Sequence, residues 1–207
     1  MKILFVILTC AKYSERKELQ KEWIKYISAG DSVVYLDEAF CVEYDYNSVP
    51  VKYSTFIKNC MVFNEFDWVF FCDDDTFLFP KKLHHLLHYF DCNKSIMIGR
   101  TGMYEYYNYC SGGAGFAVSK KLILKVRTYL FNNSITHFPN SDTSFGRWAK
   151  LTEPDFEIID RIEQFQTQHL RHPDNDAVDI DSCISFHYCG EYDYNILKKY
   201  LKYAISI

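Results

Sequence analysis

The sequence predicts an α/β fold built on a mostly parallel sheet. Three observations carry that expectation. Short apolar runs alternate with longer amphipathic segments along the 207 residues, the pattern of strands joined by crossover helices. One inner apolar run, Trp68 to Cys72, leads straight into three aspartates. No repeat, low-complexity tract or Gly/Ser/Pro-rich linker interrupts the chain, so one domain over 1–207 is expected.

The elements follow in order. A buried strand is expected over 2–9. A helix over 14–27 starts with Ser14 as its cap and puts Leu19, Trp23 and Tyr26 on one face. A strand over 32–36 and a helix over 52–63 come next, then the strand 68–72. Pro80 suits the first turn of a helix carrying Leu83, Leu86, Leu87 and Phe90. A strand over 95–98 precedes a glycine-rich turn that enters a strand over 112–118. An amphipathic helix over 119–131, a helix over 142–151, a late strand over 180–186 and a closing helix over 194–203 complete the chain.

Composition narrows the function. Apolar residues make 48% and charged residues 24%, so wholesale disorder is excluded. A net charge of −4 argues against a nucleic-acid binder, which wants a basic surface. The apolar run from Ile3 to Cys10 has eight residues, whereas a membrane-spanning helix takes about 20. A lone Lys2 precedes it and no small-residue cleavage site follows, so it does not read as a signal peptide. The expectation is a soluble or cytoplasmic protein without a transmembrane segment. A Golgi-type lumen applies only to a piece trimmed from a longer chain. None of the eight cysteines forms a CxxC pair, which disfavours a structural zinc site and leaves reduced thiols as the default.

Four motifs carry chemistry. Asp73, Asp74 and Asp75 end an apolar strand, at the sheet edge where open α/β folds bind ligands. Three adjacent anions repel and resist desolvation, a cost that a divalent cation relieves. The plainer reading is a solvated acidic turn. Ser111 to Phe116 holds three glycines in four positions, either a close approach to a ligand or a tight turn. In Asn140 to Gly146, Ser141 or Asp142 caps a helix, or Asp142 acts as a general base. A helix N-terminus favours the ionised form and so weakens that base. His187 closes an apolar strand, as a metal ligand or as a core histidine. His84, His85 and His88 read as surface or helix-packing residues. No GxxxxGK[ST] or GxGxxG motif is present.

Taken together and in this order, these motifs resemble the Fringe-like glycosyltransferases and the related β-1,3-galactosyltransferases that include core 1 synthase. The triplet after Asp67-Trp-Val-Phe-Phe-Cys72 is similar to the family's DDD motif, and Ser111 to Leu122 to its GGAGF segment. Asp142, four residues before Gly146, is similar to its catalytic acidic motif, and Ile184 to Leu201 to its closing ISFHY segment and helix. Ser141 departs from the acidic residue usual there.

The resemblance implies a GT-A fold, with a Rossmann-like nucleotide half over about 1–110 and an acceptor and catalytic half over about 111–207. It implies an inverting transfer of a hexose or N-acetylhexosamine from a UDP-sugar to a glycan or glycoprotein, forming a β-1,3 linkage. Mn²⁺ is the implied metal, with Mg²⁺ as the alternative. Asp75 and His187 would bind it, Asp73 and Asp74 would shape the nucleotide side, and Asp142 would be the base. Gly112 and Gly113 would line the donor–acceptor junction, and Arg16 and Lys58 fall in segments similar to nucleotide-side positions. The competing classes are an inactive nucleotide-sugar or glycan-binding module and a metal-dependent nucleotidyl or phosphoryl transferase.

Overall fold

The structure is a computed structural model that describes residues 1–41, 48–135, 138–170, 172 and 178–202. Its centre is a six-stranded sheet. β1 (Ile3–Leu8) is apolar throughout and buried on both faces, as a strand with helices above and below must be. It pairs in parallel with β2 (Ser32–Leu36) on one side and with β3 (Trp68–Asp73) on the other. β8 (Phe116–Ser119) runs antiparallel to β3, and β5 (Ile96–Gly99) antiparallel to β8. β9 (Glu157–Asp160) closes the far edge, parallel to β5. The order β2-β1-β3-β8-β5-β9 is mostly parallel, with β8 alone reversed.

Side-chain alternation along these strands builds two cores. Phe5 and Phe70 pack with Trp23 of α1 (Ser14–Ile24), Leu83 of α3 (Pro80–Leu87) and Tyr194 of α6 (Glu191–Leu197). Val6 and Phe71 face the other layer, with Tyr53 of α2 (Val49–Asn59), Leu122 of α4 (Lys120–Asn132) and Trp148 of α5 (Ser141–Thr152). Phe70 and Phe71 are both fully buried. Each contributes about 1.5–3 kcal/mol, one to either layer.

Two smaller sheets position the site. β4 (Phe77–Leu78) pairs antiparallel with β11 (Ser185–Phe186), which pairs in parallel with β10 (Phe165–Gln166). β6 (Thr101–Tyr104) and β7 (Tyr107–Cys110) form a hairpin that leads into Ser111.

Several bounds differ from expectation. α1 begins behind a short turn, Ala11–Tyr13, and Ser14 is its first residue rather than a side-chain cap. α2 begins at Val49 because Pro50 sits in its first turn, and it ends at Asn59. The strand expected over 180–186 narrows to two residues. Its partner β4 has only two to offer, pinned between the aspartate turn and the helix that starts at Pro80. α6 starts at Glu191, earlier than expected, and ends at Leu197. The expected end at residue 203 lies outside the described residues. Among the described residues, no helix is long and apolar enough to cross a membrane.

Candidate active site

The strand order reverses between β1 and β3, whose ends meet at the pair Leu8–Asp73. Open α/β sheets bind ligands at such a point, beyond the C-terminal strand ends. There the chain leaves the core and exposes its three carboxylates to different partners. Asp74 is turned inward, 5% exposed. It accepts hydrogen bonds from the Thr9 hydroxyl at 2.8 Å and from the Arg16 guanidinium at 2.7 Å. Arg16 also reaches Asp75 at 3.2 Å and lies over the Tyr13 ring, 4.1 Å from its centroid. Asp74 is therefore occupied in fixing Arg16, and Arg16 is held ready at the cleft.

Asp73, Asp75 and His187 face one another. His187 Nε2 lies 3.2 Å from an Asp75 oxygen and 3.6 Å from an Asp73 oxygen, and one ligand atom from each of the three falls within 4.8 Å of the others. Two carboxylates and an imidazole are a donor set for a divalent cation of the Mn²⁺ or Mg²⁺ kind. The electrostatics agree. Burial pushes the Asp73 carboxyl up to about 7; the charges of Asp75, Asp142 and Asp74 add to it and His187 opposes it. Burial alone would lower the pKa of His187. The Asp75 hydrogen bond and the charges of Asp73 and Asp75 outweigh that, and it is raised. An anionic cluster that resists ionisation is one that a cation stabilises.

The glycine turn brings in the second half. Its Gly112 N–H donates to an Asp142 oxygen at 2.9 Å, and the Thr143 N–H donates to the other oxygen at 2.8 Å. Gly115 takes a φ of +82°, where a side chain would also strike the Phe70 ring. The Gly113 carbonyl accepts from the Thr76 hydroxyl at 2.7 Å, tying this turn to the aspartate turn. Asp142 stands in the first turn of α5, and the cap position belongs to Asn140. The expected weakening of Asp142 as a base is reversed. Burial raises its pKa, outweighing the amide bonds from Gly112 and Thr143.

A cavity of about 490 Å³ is lined by Thr9, Arg16, Lys52 and the three aspartates. A second, of about 280 Å³, is lined by Gly112, Gly113 and Asp142. Leu8, Val49, Asp73, His187 and Tyr188 line both, so the two form one cleft. The sequence-predicted residues Arg16, Asp73, Asp74, Asp75, Gly112, Gly113, Asp142 and His187 all meet there. Lys58 does not line it. Its carbonyl accepts from Arg127 at 3.2 Å, roughly 9 Å further along α2.

The lysine at the cleft is Lys52, which sequence reasoning missed. It is 2% exposed, and its ammonium donates to the Thr9 carbonyl at 3.0 Å. A signal existed, because a cation near a helix N-terminus opposes the dipole, and Lys52 stands between apolar Val51 and Tyr53. His84 instead bonds Asp31 at 2.7 Å and His85 bonds Tyr89, outside the site.

Known proteins agree with this architecture. The family model described as Fringe-like matches residues 6–147, a stretch that includes the aspartate, glycine and Asp142 motifs. Human chondroitin sulfate glucuronyltransferase is 33% identical over 70 residues, covering 32% of this chain and 9% of that protein, so the chain spans a small part of that relative. Among solved structures, a glycosyltransferase involved in the glycosylation of the major capsid of PBCV-1 aligns over 98% of this chain and all of its own. Its TM-score is 0.62 at 14% identity. The glycosyltransferase GlyE of Streptococcus pneumoniae TIGR4 aligns over the whole chain and 61% of its own, with a TM-score of 0.56 at 11% identity. The chain belongs to the Fringe-like family and has the GT-A fold of glycosyltransferases.

Proposed function

We propose that the protein transfers a hexose or N-acetylhexosamine from a UDP-sugar to a hydroxyl of a glycan or glycoprotein, with inversion and a β-1,3 linkage. The observation that carries this reading is the single cleft that joins a metal donor set to a half-buried carboxylate whose pKa is raised. Asp75, His187 and Asp73 would hold Mn²⁺ or Mg²⁺, which offsets charge on the leaving diphosphate. Lys52 and Arg16 add positive charge from the same cavity wall. Asp142 takes the proton of the acceptor hydroxyl as its oxygen attacks the anomeric carbon. The bond from that carbon to the diphosphate breaks, UDP leaves, and one displacement inverts the centre. Each Asp142 oxygen accepts one amide bond, which leaves a lone pair for the proton. The donor-side residues Arg16, Lys52 and Asp73 to Asp75 come from 1–110 and Asp142 from 111–207, while His187 crosses from 111–207 to join the donor-side metal set.

The test is UDP release from a panel of UDP-sugars, with Mn²⁺ and with chelator. Slow hydrolysis dependent on Mn²⁺ for at least one donor is expected. Absence of release from UDP-galactose, UDP-glucose, UDP-glucuronate and both UDP-N-acetylhexosamines would overturn the reading, and released pyrophosphate would point to nucleotidyl transfer.

A further inference from the structure

Among the described residues, only Glu105 and Tyr188 are non-glycine residues with positive φ. Glu105 is accounted for by the two-residue turn of the β6–β7 hairpin, which favours that conformation. Tyr188 has a φ of 55° and belongs to no hairpin. A bulky side chain held there marks a backbone fixed by its surroundings. Both neighbours are fixed. The His187 N–H donates to the Gln166 carbonyl at 3.0 Å and the Cys189 N–H to the Asp75 carbonyl at 2.8 Å.

Cys189 is 3% exposed, yet Tyr188 is 56% exposed. One face of its ring lies on the His187 imidazole, with centroids 3.7 Å apart and planes 24° apart. Tyr188 also lines both parts of the cleft, the part with the aspartates and the part with Asp142. A rigid, exposed ring at that junction suits a pyranose, one face of which carries mostly C–H bonds and is apolar. A sugar stacked on this ring would share the part of the cleft that Asp142 lines.

Resting on the proposed transfer reaction, we propose that Tyr188 is the stacking platform for the acceptor sugar and so a positioning residue for its hydroxyl. The test uses the UDP-sugar that the wild type hydrolyses. Methyl glycosides of galactose, glucose, fucose, N-acetylgalactosamine and N-acetylglucosamine serve as acceptor probes. The readout is the ratio of disaccharide to free sugar, with the Mn²⁺ Kd measured beside it.

Wild type should form a disaccharide with at least one probe. Tyr188→Ala should lower the ratio tenfold or more with Mn²⁺ Kd within twofold, and Tyr188→Phe should restore the ratio. Tyr188→Gly should behave like the Ala variant while melting no lower than wild type, because glycine suits the positive φ. An unchanged ratio in the Ala and Gly variants would overturn the proposal, as would a wild type that hydrolyses donor but uses none of the probes. A Mn²⁺ Kd weakened together with the ratio would make Tyr188 a prop for His187 instead. Absence of any wild-type hydrolysis would overturn the transfer reaction and, with it, the platform that rests on it, a failure distinct from hydrolysis without transfer.

Discussion

The His187 imidazole fills the space that a side chain on Gly113 would need: a Cβ there would lie 2.1–2.4 Å from three ring atoms. Gly112, one residue earlier, is different, since its Cβ would meet Asp142 at 3.5 Å, an ordinary contact. The two glycines therefore do different work. Gly113→Ala must swing the imidazole out of line with Asp73 and Asp75. Mn²⁺ affinity should fall about 10–100-fold, the usual cost of disturbing a ligand's support. Gly112→Ala should keep it within about threefold. Calorimetry on both variants checks this, and equal losses would separate Gly113 from the metal site.

Asp142 is tested by its amide. Both carboxylate oxygens accept backbone N–H bonds, so Asp142→Asn turns one acceptor into a donor that faces another donor. The fold should lose about 1 kcal/mol, roughly one hydrogen bond. Transfer should fall by about 10²–10⁴, the share of a general base. Mn²⁺ and UDP binding should hardly change. Thermal melts beside initial rates decide it, and near wild-type transfer would remove Asp142 from the chemistry.

The lysines of α2 separate cleanly. Lys52→Met removes a buried ammonium from the cavity wall with little change in volume. UDP affinity should drop by about 1.5–3 kcal/mol, the worth of a bond to a charged group. Lys58→Ala, whose carbonyl bond to Arg127 survives the change, should bind UDP like wild type. Isothermal titration with Mn²⁺ present gives both values. A loss at Lys58 matching that at Lys52 would mean the cleft extends further along α2 than the structure has it.

The parts legible in the sequence were those with strong local signals. The apolar strand before Asp73, the glycine run at Gly112 and Pro80 at a helix start each announce themselves without tertiary context. What was missed lacks such signals. β4 and β10 have two residues each, too few for any alternation to register, and β11 keeps only two of the residues expected over 180–186. The β6–β7 hairpin turns at Glu105-Tyr106, with neither Gly nor Asn to mark it. β9, Glu-Ile-Ile-Asp, is half charged because it is the sheet edge. Lys52 did carry a signal, a lone cation between apolar neighbours near a helix start, but its place at the cleft follows from its bond to the Thr9 carbonyl just past β1, a tertiary fact.

The last prediction concerns protons and metal. In the folded protein the Asp73 carboxyl titrates at about 7, against an ordinary value of 3.8. Between those values the folded state keeps a proton that the unfolded chain has lost. Without metal, the stability this group contributes is fully present below 3.8 and is lost as pH rises through about 7. His187, also raised, acts in the same direction: its contribution is full below its ordinary 6.5 and is lost as pH rises through its folded value. A cation needs the opposite forms, an ionised Asp73 and a neutral His187, so protons compete with it. The rise in Tm produced by Mn²⁺ should therefore be small at about pH 5.5 and grow through about pH 8. In chelator, Tm should drift the other way over the same range as far as these two groups govern it. Asp73→Asn should flatten both trends. Melting curves in Mn²⁺ and in chelator at several pH values measure this directly. A Mn²⁺ shift as large at the acidic end as at the basic end would mean that the cation does not sit on Asp73 and His187.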